Sequence, residues 1–335
     1  MNGGKVNWTF WVDQIREGMC TPLIADAVSR DFVFGDRDIV GDWASAINYP
    51  MSNRANLAHV AHYLCILEND ELAAKRSYLR HLVQSARQTT GPGSPIGPLK
   101  PPPGAAPGEG NSFSQVAAQL GLANFTKQPD NPFFILANLP IVVYLTTGYH
   151  QLLEQALESV GRAPVSDYYR WNDDLDQQAK EEQIAYTHQP TVEQPLVYHL
   201  HGIDTKPESL VLTEDNYLEF YERASEDINR QDGFPVPVRN ALTKNSIMLL
   251  GYDLQSWAFR VVFRGPIRSL FTLRRPLSLA IQMEPGQSNG ITDMEQFRAY
   301  VQNYFGEYRF NLYWGSAAGF TSELWKQWEA SSGNA

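Results

Sequence analysis

Apolar residues fall along this chain in two distinct patterns. Between Ala55 and Leu67, the residues Leu57, Val60, Ala61, Leu64 and Cys65 recur at helical spacing and predict an amphipathic helix. Glu71 to Ala86 repeats that spacing through Leu72, Leu79, Leu82 and Val83, with Arg76 and Arg80 on the polar side. Other apolar runs are short and continuous: Cys20–Ile24, Ile141–Thr146, Leu196–His201, Ser209–Thr213, Ser246–Leu250, Pro276–Met283 and Arg309–Trp314. Helical stretches separate them, at Tyr149–Val160, Trp257–Phe263 and Ala317–Trp328. Another opens at Thr213-Glu-Asp-Asn, a capping residue followed by first-turn acids. Continuous apolar strands alternating with helices predict an α/β fold, a parallel sheet with helices on both faces.

Residues 91–110 break both patterns, because thirteen of the twenty are Gly or Pro. Such a segment donates few backbone hydrogen bonds and is expected as a surface excursion inside a helical subregion spanning 50–135. Sheet-forming runs on both sides make it an insertion rather than a boundary, so residues 1–335 are expected to form a single domain.

Composition narrows the function classes. The 335 residues carry 27 Lys and Arg against 37 Asp and Glu, a formal charge of −10. That balance lacks the basic footprint of a general nucleic-acid binder. No apolar run approaches the length of a bilayer span and no apolar leader opens the chain, so no membrane association and a cytoplasmic location are expected. The two cysteines, Cys20 and Cys65, sit in apolar runs and read as buried free thiols.

In an open parallel sheet, ligands bind where strands end and helices begin. The loops to inspect are therefore Ala25–Ser29, Thr146–His150, His201–Asp204 and Gly251–Trp257. His199 and His201 lie two apart in one apolar run and should share a strand face. No Cys or carboxylate cluster with ligand spacing accompanies them, and no metal is expected. Neither a Gly-x-Ser-x-Gly elbow nor a Walker-type phosphate loop is present.

Taken together and in order, these loops resemble the bacterial sirtuin-like proteins, specifically the branch that cleaves nicotinamide adenine dinucleotide (NAD) in antiviral defence. The resemblance begins at Gly18-Met-Cys-Thr-Pro-Leu-Ile and continues through Asn56-Leu-Ala-His-Val-Ala-His-Tyr, Leu139–Thr147 and Tyr169-Arg-Trp-Asn172. Its most specific stretch runs from Val197-Tyr-His-Leu-His-Gly202 to Pro207–Tyr217, and Leu249-Leu-Gly-Tyr252 to Arg260 with Tyr313-Trp-Gly315 complete it. It implies a Rossmann-like sheet and an NAD pocket. His201 matches the family's catalytic histidine, a general base on the ribose or on water. Gly251 and Tyr252 match the adenosine side, Thr146 and Thr147 the strand end feeding the nicotinamide pocket, and Ser29 the serine of the first loop.

The chain departs from the family's pattern at three loops. Gly-Ala-Gly-x-Ser is replaced by Ala25-Asp26-Ala27-Val28-Ser29, which adds methyl groups and a carboxylate where a pyrophosphate would approach. Thr-Asn-Tyr-Asp is replaced by Thr147-Gly148-Tyr149-His150, which removes the Asn side chain and offers His150 as its substitute. Ser256 stands where many relatives have Asp. These changes lead to an expectation of a degenerate, weakly active or inactive subunit, acting as a homo-oligomer or beside a helicase-like ATPase. C-terminal aromatics such as Phe305, Tyr308, Trp325 and Trp328 are candidates for such contacts. The alternative is an active NAD glycohydrolase with His201 as base. A sirtuin deacylase ranks last, since no paired Cys-x-x-Cys zinc motif is present.

Overall fold

A computed structural model of the chain describes residues 6–89, 112–122, 125, 128–179, 184–228, 230, 233–252, 278–283, 293–304 and 309–332. Residues 91–110, Ser256, the predicted helix Trp257–Phe263, Phe305 and Tyr308 lie outside the described residues. The elements begin with α1 (Trp8–Arg16), β1 (Cys20–Ile24), α2 (Ala27–Phe34) and α3 (Ile39–Ala46). Four helices follow, α4 (Leu57–Glu68), α5 (Glu71–Thr89), α6 (Phe113–Gln119) and α7 (Pro132–Asn138). The chain then alternates through β2 (Val143–Thr146), α8 (Leu152–Ser159), β3 (Val165–Tyr168), α9 (Asp173–Ala179), α10 (Ile184–Thr187) and β4 (Leu196–His199). After a 3₁₀ turn at Pro207–Ser209 come α11 (Glu214–Asp227), α12 (Val236–Lys244), β5 (Ser246–Leu250), β6 (Ser278–Met283), a helix at Met294–Tyr304, β7 (Arg309–Trp314) and a closing helix at Ala317–Ser332.

The described strands form one seven-stranded sheet in the order β3-β4-β2-β1-β5-β6-β7. Every pairing is parallel. Parallel strands need helical crossovers, and the resulting two-faced cover explains the continuous apolar runs. Successive residues feed opposite cores. Ile24, Tyr144, Val197, Met248 and Leu250 enter one cluster with Trp11, Trp43 and Tyr78. Leu23, Leu145, Leu196, Tyr198, Ile247 and Leu249 enter the other with Trp171, Phe220 and Phe234. A one-residue slip of any inner strand would exchange the two sets, so the register is tightly specified. Leu250, Ile24, Thr146 and His199 are consecutive partners across four strands, and the loops leaving β5, β1, β2 and β4 depart at one level.

Two expectations need correction. Ser209–Thr213 is not a strand: it is the end of the 3₁₀ turn followed by extended chain. Its backbone bonds locally, Val211 N to the His201 carbonyl at 3.0 Å and Leu212 N to Asn216 Oδ1 at 3.3 Å, so burial of Leu210, Val211 and Leu212 produces the apolar run without a ladder. The run at 196 ends as a strand at His199, which leaves His201 in the following turn and parts the two imidazoles. α1, α2, α3 and β3 were not anticipated. Both cysteines are free, Cys20 buried as expected and Cys65 only half-buried. Among the described residues no helix is long and apolar enough to cross a membrane.

Candidate functional site

The site is assembled where β1, β2, β4 and β5 end. Ala25 N bonds the Leu250 carbonyl at 2.9 Å and carries the chain off β1 into α2. The Asp26 carbonyl accepts from Ser29 N at 3.1 Å and from Ser29 Oγ at 2.7 Å, so the Ser29 hydroxyl closes the first turn of its own helix. The Asp26 carboxylate lies 3.2 Å from Arg30 Nε and 3.5 Å from His150 Nε2. Burial favours its neutral form, but the His150 contact and the Arg30 charge outweigh that and hold its pKa below the ordinary carboxylate value. The added negative charge is thus compensated from within the chain.

The loop after β2 is fixed by backbone and hydroxyl bonds. Thr146 Oγ1 donates to the Ile24 carbonyl at 3.1 Å and accepts from Gly148 N at 2.9 Å. Thr147 N donates to the same carbonyl at 2.9 Å, and its hydroxyl meets Tyr252 OH at 3.3 Å. Tyr252 follows Gly251, whose φ of +75° and whose approach to Val28 suit glycine; a Cβ there would stand 2.5 Å from Val28 Cγ2. Beneath this loop, fully buried His199 sends Nδ1 to the Gly148 carbonyl and Nε2 to Glu154 Oε1, both at 2.7 Å. With an acceptor facing each ring nitrogen, the contacts of His199 favour the doubly protonated ring. Burial opposes that charge, but Glu154 raises the His199 pKa, and His199 with Ser166 lowers that of Glu154.

His150 closes the loop. It is 6% exposed, with Phe113 and Phe133 against its ring at centroid distances of 6.2 and 6.0 Å. Neither ring nitrogen has a hydrogen-bond partner among the described residues, the 3.5 Å approach of Asp26 being too long for a good bond. The ring occupies space next to Gly148: a Cβ on residue 148 would lie 3.1 Å from His150 Nε2 and 3.4 Å from Cε1.

His201 packs edge-on against Tyr217 and Phe220, 5.3 and 4.9 Å away, and is 3% exposed. Its Nε2 has no partner among the described residues. Burial pushes its pKa down to about 3 against an opposing pull from Asp26, so the ring is neutral at neutral pH. The same carboxylate acts on Tyr78, Tyr149 and Tyr217, hydroxyls that burial already raises. Gly202, at φ +85°, lets the turn after His201 pass the Ser209 carbonyl, which a Cβ would meet at 2.1 Å. Next to it, Asp204 Oδ2 accepts from Ser114 N and Oγ, both at 2.7 Å, while the Ser114 hydroxyl accepts from Gln151 N at 2.7 Å.

The expected residues therefore divide. His201, His150, Thr147 and Tyr252 gather around Asp26 or across the neighbouring loops, while Ser29 and Thr146 have hydroxyls committed to local backbone. Sequence reading missed the His199–Glu154 pair, Tyr217 and the Asp204–Ser114 contact. Only His199 had a visible signal, as a polar residue in an apolar strand. A separate cavity of about 500 Å³ is lined by Glu71, Asp173, Asp174, Glu208 and Glu219 beside Lys75. Lys75 is already bound by Glu71 at 2.5 Å and the Glu208 carbonyl at 3.2 Å, so this acid-rich hollow offers no seat for phosphates.

Residues 142–307 match the SIR2-like domain family. The chain is similar to the NAD(+) hydrolase ThsA of Cytobacillus dafuensis, with 29% identity over 143 residues. That match covers 42% of this chain and 25% of that protein, so the chain corresponds to about a quarter of its curated relative.

Proposed function

Since residues 142–307 match the SIR2-like domain family, we propose that this protein hydrolyses NAD to nicotinamide and ADP-ribose at the carboxyl edge of its sheet. The observation that carries the reading is a pair of buried imidazoles beside Asp26, His150 and His201, both with ring nitrogens that have no partner among the described residues. Unsatisfied buried polar atoms are costly, and a ligand that bonds them removes the cost. Neutral His201 can accept a proton at Nε2, and since burial holds its pKa near 3, a bound ligand has to raise that value toward neutrality for the ring to work as a general base. It would take a proton from water or a ribosyl hydroxyl as the nicotinamide–ribose bond breaks. Thr147 and Tyr252 would line the dinucleotide, and the turn at Gly251 would give it access. The similarity to a NAD(+) hydrolase supports the substrate, and the family resemblance supports a role in antiviral defence.

A second reading is favoured by one specific feature, the Asp26 carboxylate at the start of α2, where a bound pyrophosphate would gain from the helix dipole. On that reading the pocket is degenerate, and the chain serves as a subunit of a homo-oligomer or of an assembly with a helicase-like ATPase. Incubation of the purified protein with NAD, with chromatographic quantification of nicotinamide and ADP-ribose, separates the two. Release that is lost in His201→Ala supports hydrolysis; no release from folded protein favours the degenerate subunit.

A further inference from the structure

Asp26, Gly148 and His150 come from two loops and meet at one ring. Asp26 approaches His150 Nε2 at 3.5 Å, and the absence of a side chain at Gly148 leaves room for that ring. A Cβ at 148 would press on the imidazole of His150 at 3.1 Å, and Asp26 is the carboxylate that approaches that ring, with buried Asp204 acting on it as well. Phe113 and Phe133 close the ring's other sides, and Arg30 fixes the carboxylate from the next turn of α2. The three residues are coupled through charge and volume.

We propose that His150 is a second ligand-contacting group of this pocket and that Asp26 is its positioning residue, with Gly148 providing the space. The ligand chemistry that fits is a hydroxyl, or a water held with it, on a ribosyl group: with Nε2 turned toward Asp26, Nδ1, which has no partner among the described residues, is left to meet it. This inference rests on the NAD reading for its ligand but not on turnover. Asp26 then acts through the ring it orients, as a carboxylate orients an imidazole in other hydrolytic sites.

The test uses full-length protein carrying isotope-labelled histidine, with NAD as the probe. The His150 ring resonance is assigned by its loss in His150→Gln and followed as NAD is added. The expected result is a shift of that resonance in the wild type and a smaller one in Asp26→Asn at the same NAD occupancy. If nicotinamide is released, Asp26→Asn and His150→Gln each lower kcat by about tenfold or more with little change in KM, and the double variant is no slower than the slower single one. Thermal melts establish that each variant is folded. A His150 resonance indifferent to NAD overturns the inference whether or not nicotinamide appears, as does Asp26→Asn that matches wild type in both readouts. A shifting resonance without release overturns the hydrolase reading alone.

Discussion

His199 and Glu154 form a charged pair inside the sheet, Nε2 to Oε1 at 2.7 Å, and the second nitrogen of the same ring holds the Gly148 carbonyl. The pair therefore sets the level of the loop that carries Thr147 and His150. Removing one partner strands a buried charge, so Glu154→Gln or His199→Gln is expected to cost about 3–5 kcal/mol in denaturant unfolding. The pH dependence has two limbs. His199 is raised, so its contribution is complete below its ordinary value near 6.5 and is lost as pH climbs through its folded value. Glu154 is lowered, so its contribution is complete above its ordinary value near 4.5 and disappears as acid titrates the folded carboxyl. Urea midpoints across pH should show both limbs in wild type and lose them together in either variant.

His201 predicts a different acid response. Its folded pKa lies near 3, far below the ordinary 6.5, so below about pH 6.5 the unfolded chain binds a proton that the native state refuses. This residue should subtract up to roughly 1.4 kcal/mol of stability per pH unit as pH falls from 6.5 toward 3. His201→Asn should remove that component of the slope; an unchanged slope between pH 6.5 and 5 would place the ring in contact with solvent.

Gly251→Ala should be destabilising for two reasons, the positive φ and the overlap with Val28. A loss of about 1–3 kcal/mol is expected. Combining it with Val28→Ala relieves the overlap but not the backbone strain, so the melting temperature should recover only in part beyond the cost of Val28→Ala alone.

Ser114→Ala should loosen the turn at Gln151 and deprive the buried Asp204 carboxylate of its hydroxyl donor. The cost is expected at about 1–3 kcal/mol, with faster amide exchange at Gln151 than in wild type. Unchanged exchange there would mean that Ser114 does not brace the His150 loop.

The sheet was legible where its inner strands are buried at every position: Cys20–Ile24 and Ser246–Leu250 carry enough continuous apolar residues to stand out from the helices. β3 was not, because Val165-Ser-Asp-Tyr168 lies at the edge of the sheet and half its residues are only partly buried. Ser209–Thr213 misled for the opposite reason, since its apolar residues are buried by a loop rather than by pairing. At the site, the strand ends pointed to loops that leave the sheet at one level, and His201 and His150 stood out as residue types. What the sequence could not carry was pairing across distance. Asp26 reads as a charge opposed to phosphate until its contacts with Arg30 and His150 are seen. Thr146 and Ser29 read as ligand contacts, and what the sequence did not show is that their hydroxyl protons go to the Ile24 and Asp26 carbonyls.

The bond between Asp204 and Ser114 joins residues 90 positions apart, and the one between Ser114 and Gln151 spans 37. Contacts of that separation form only after long stretches of chain have closed into loops, which is slow compared with winding a helix. The β1–β2 pairing beneath them spans more than either, 122 positions, so the pocket and the sheet that carries it both wait on long-range closure rather than on local winding.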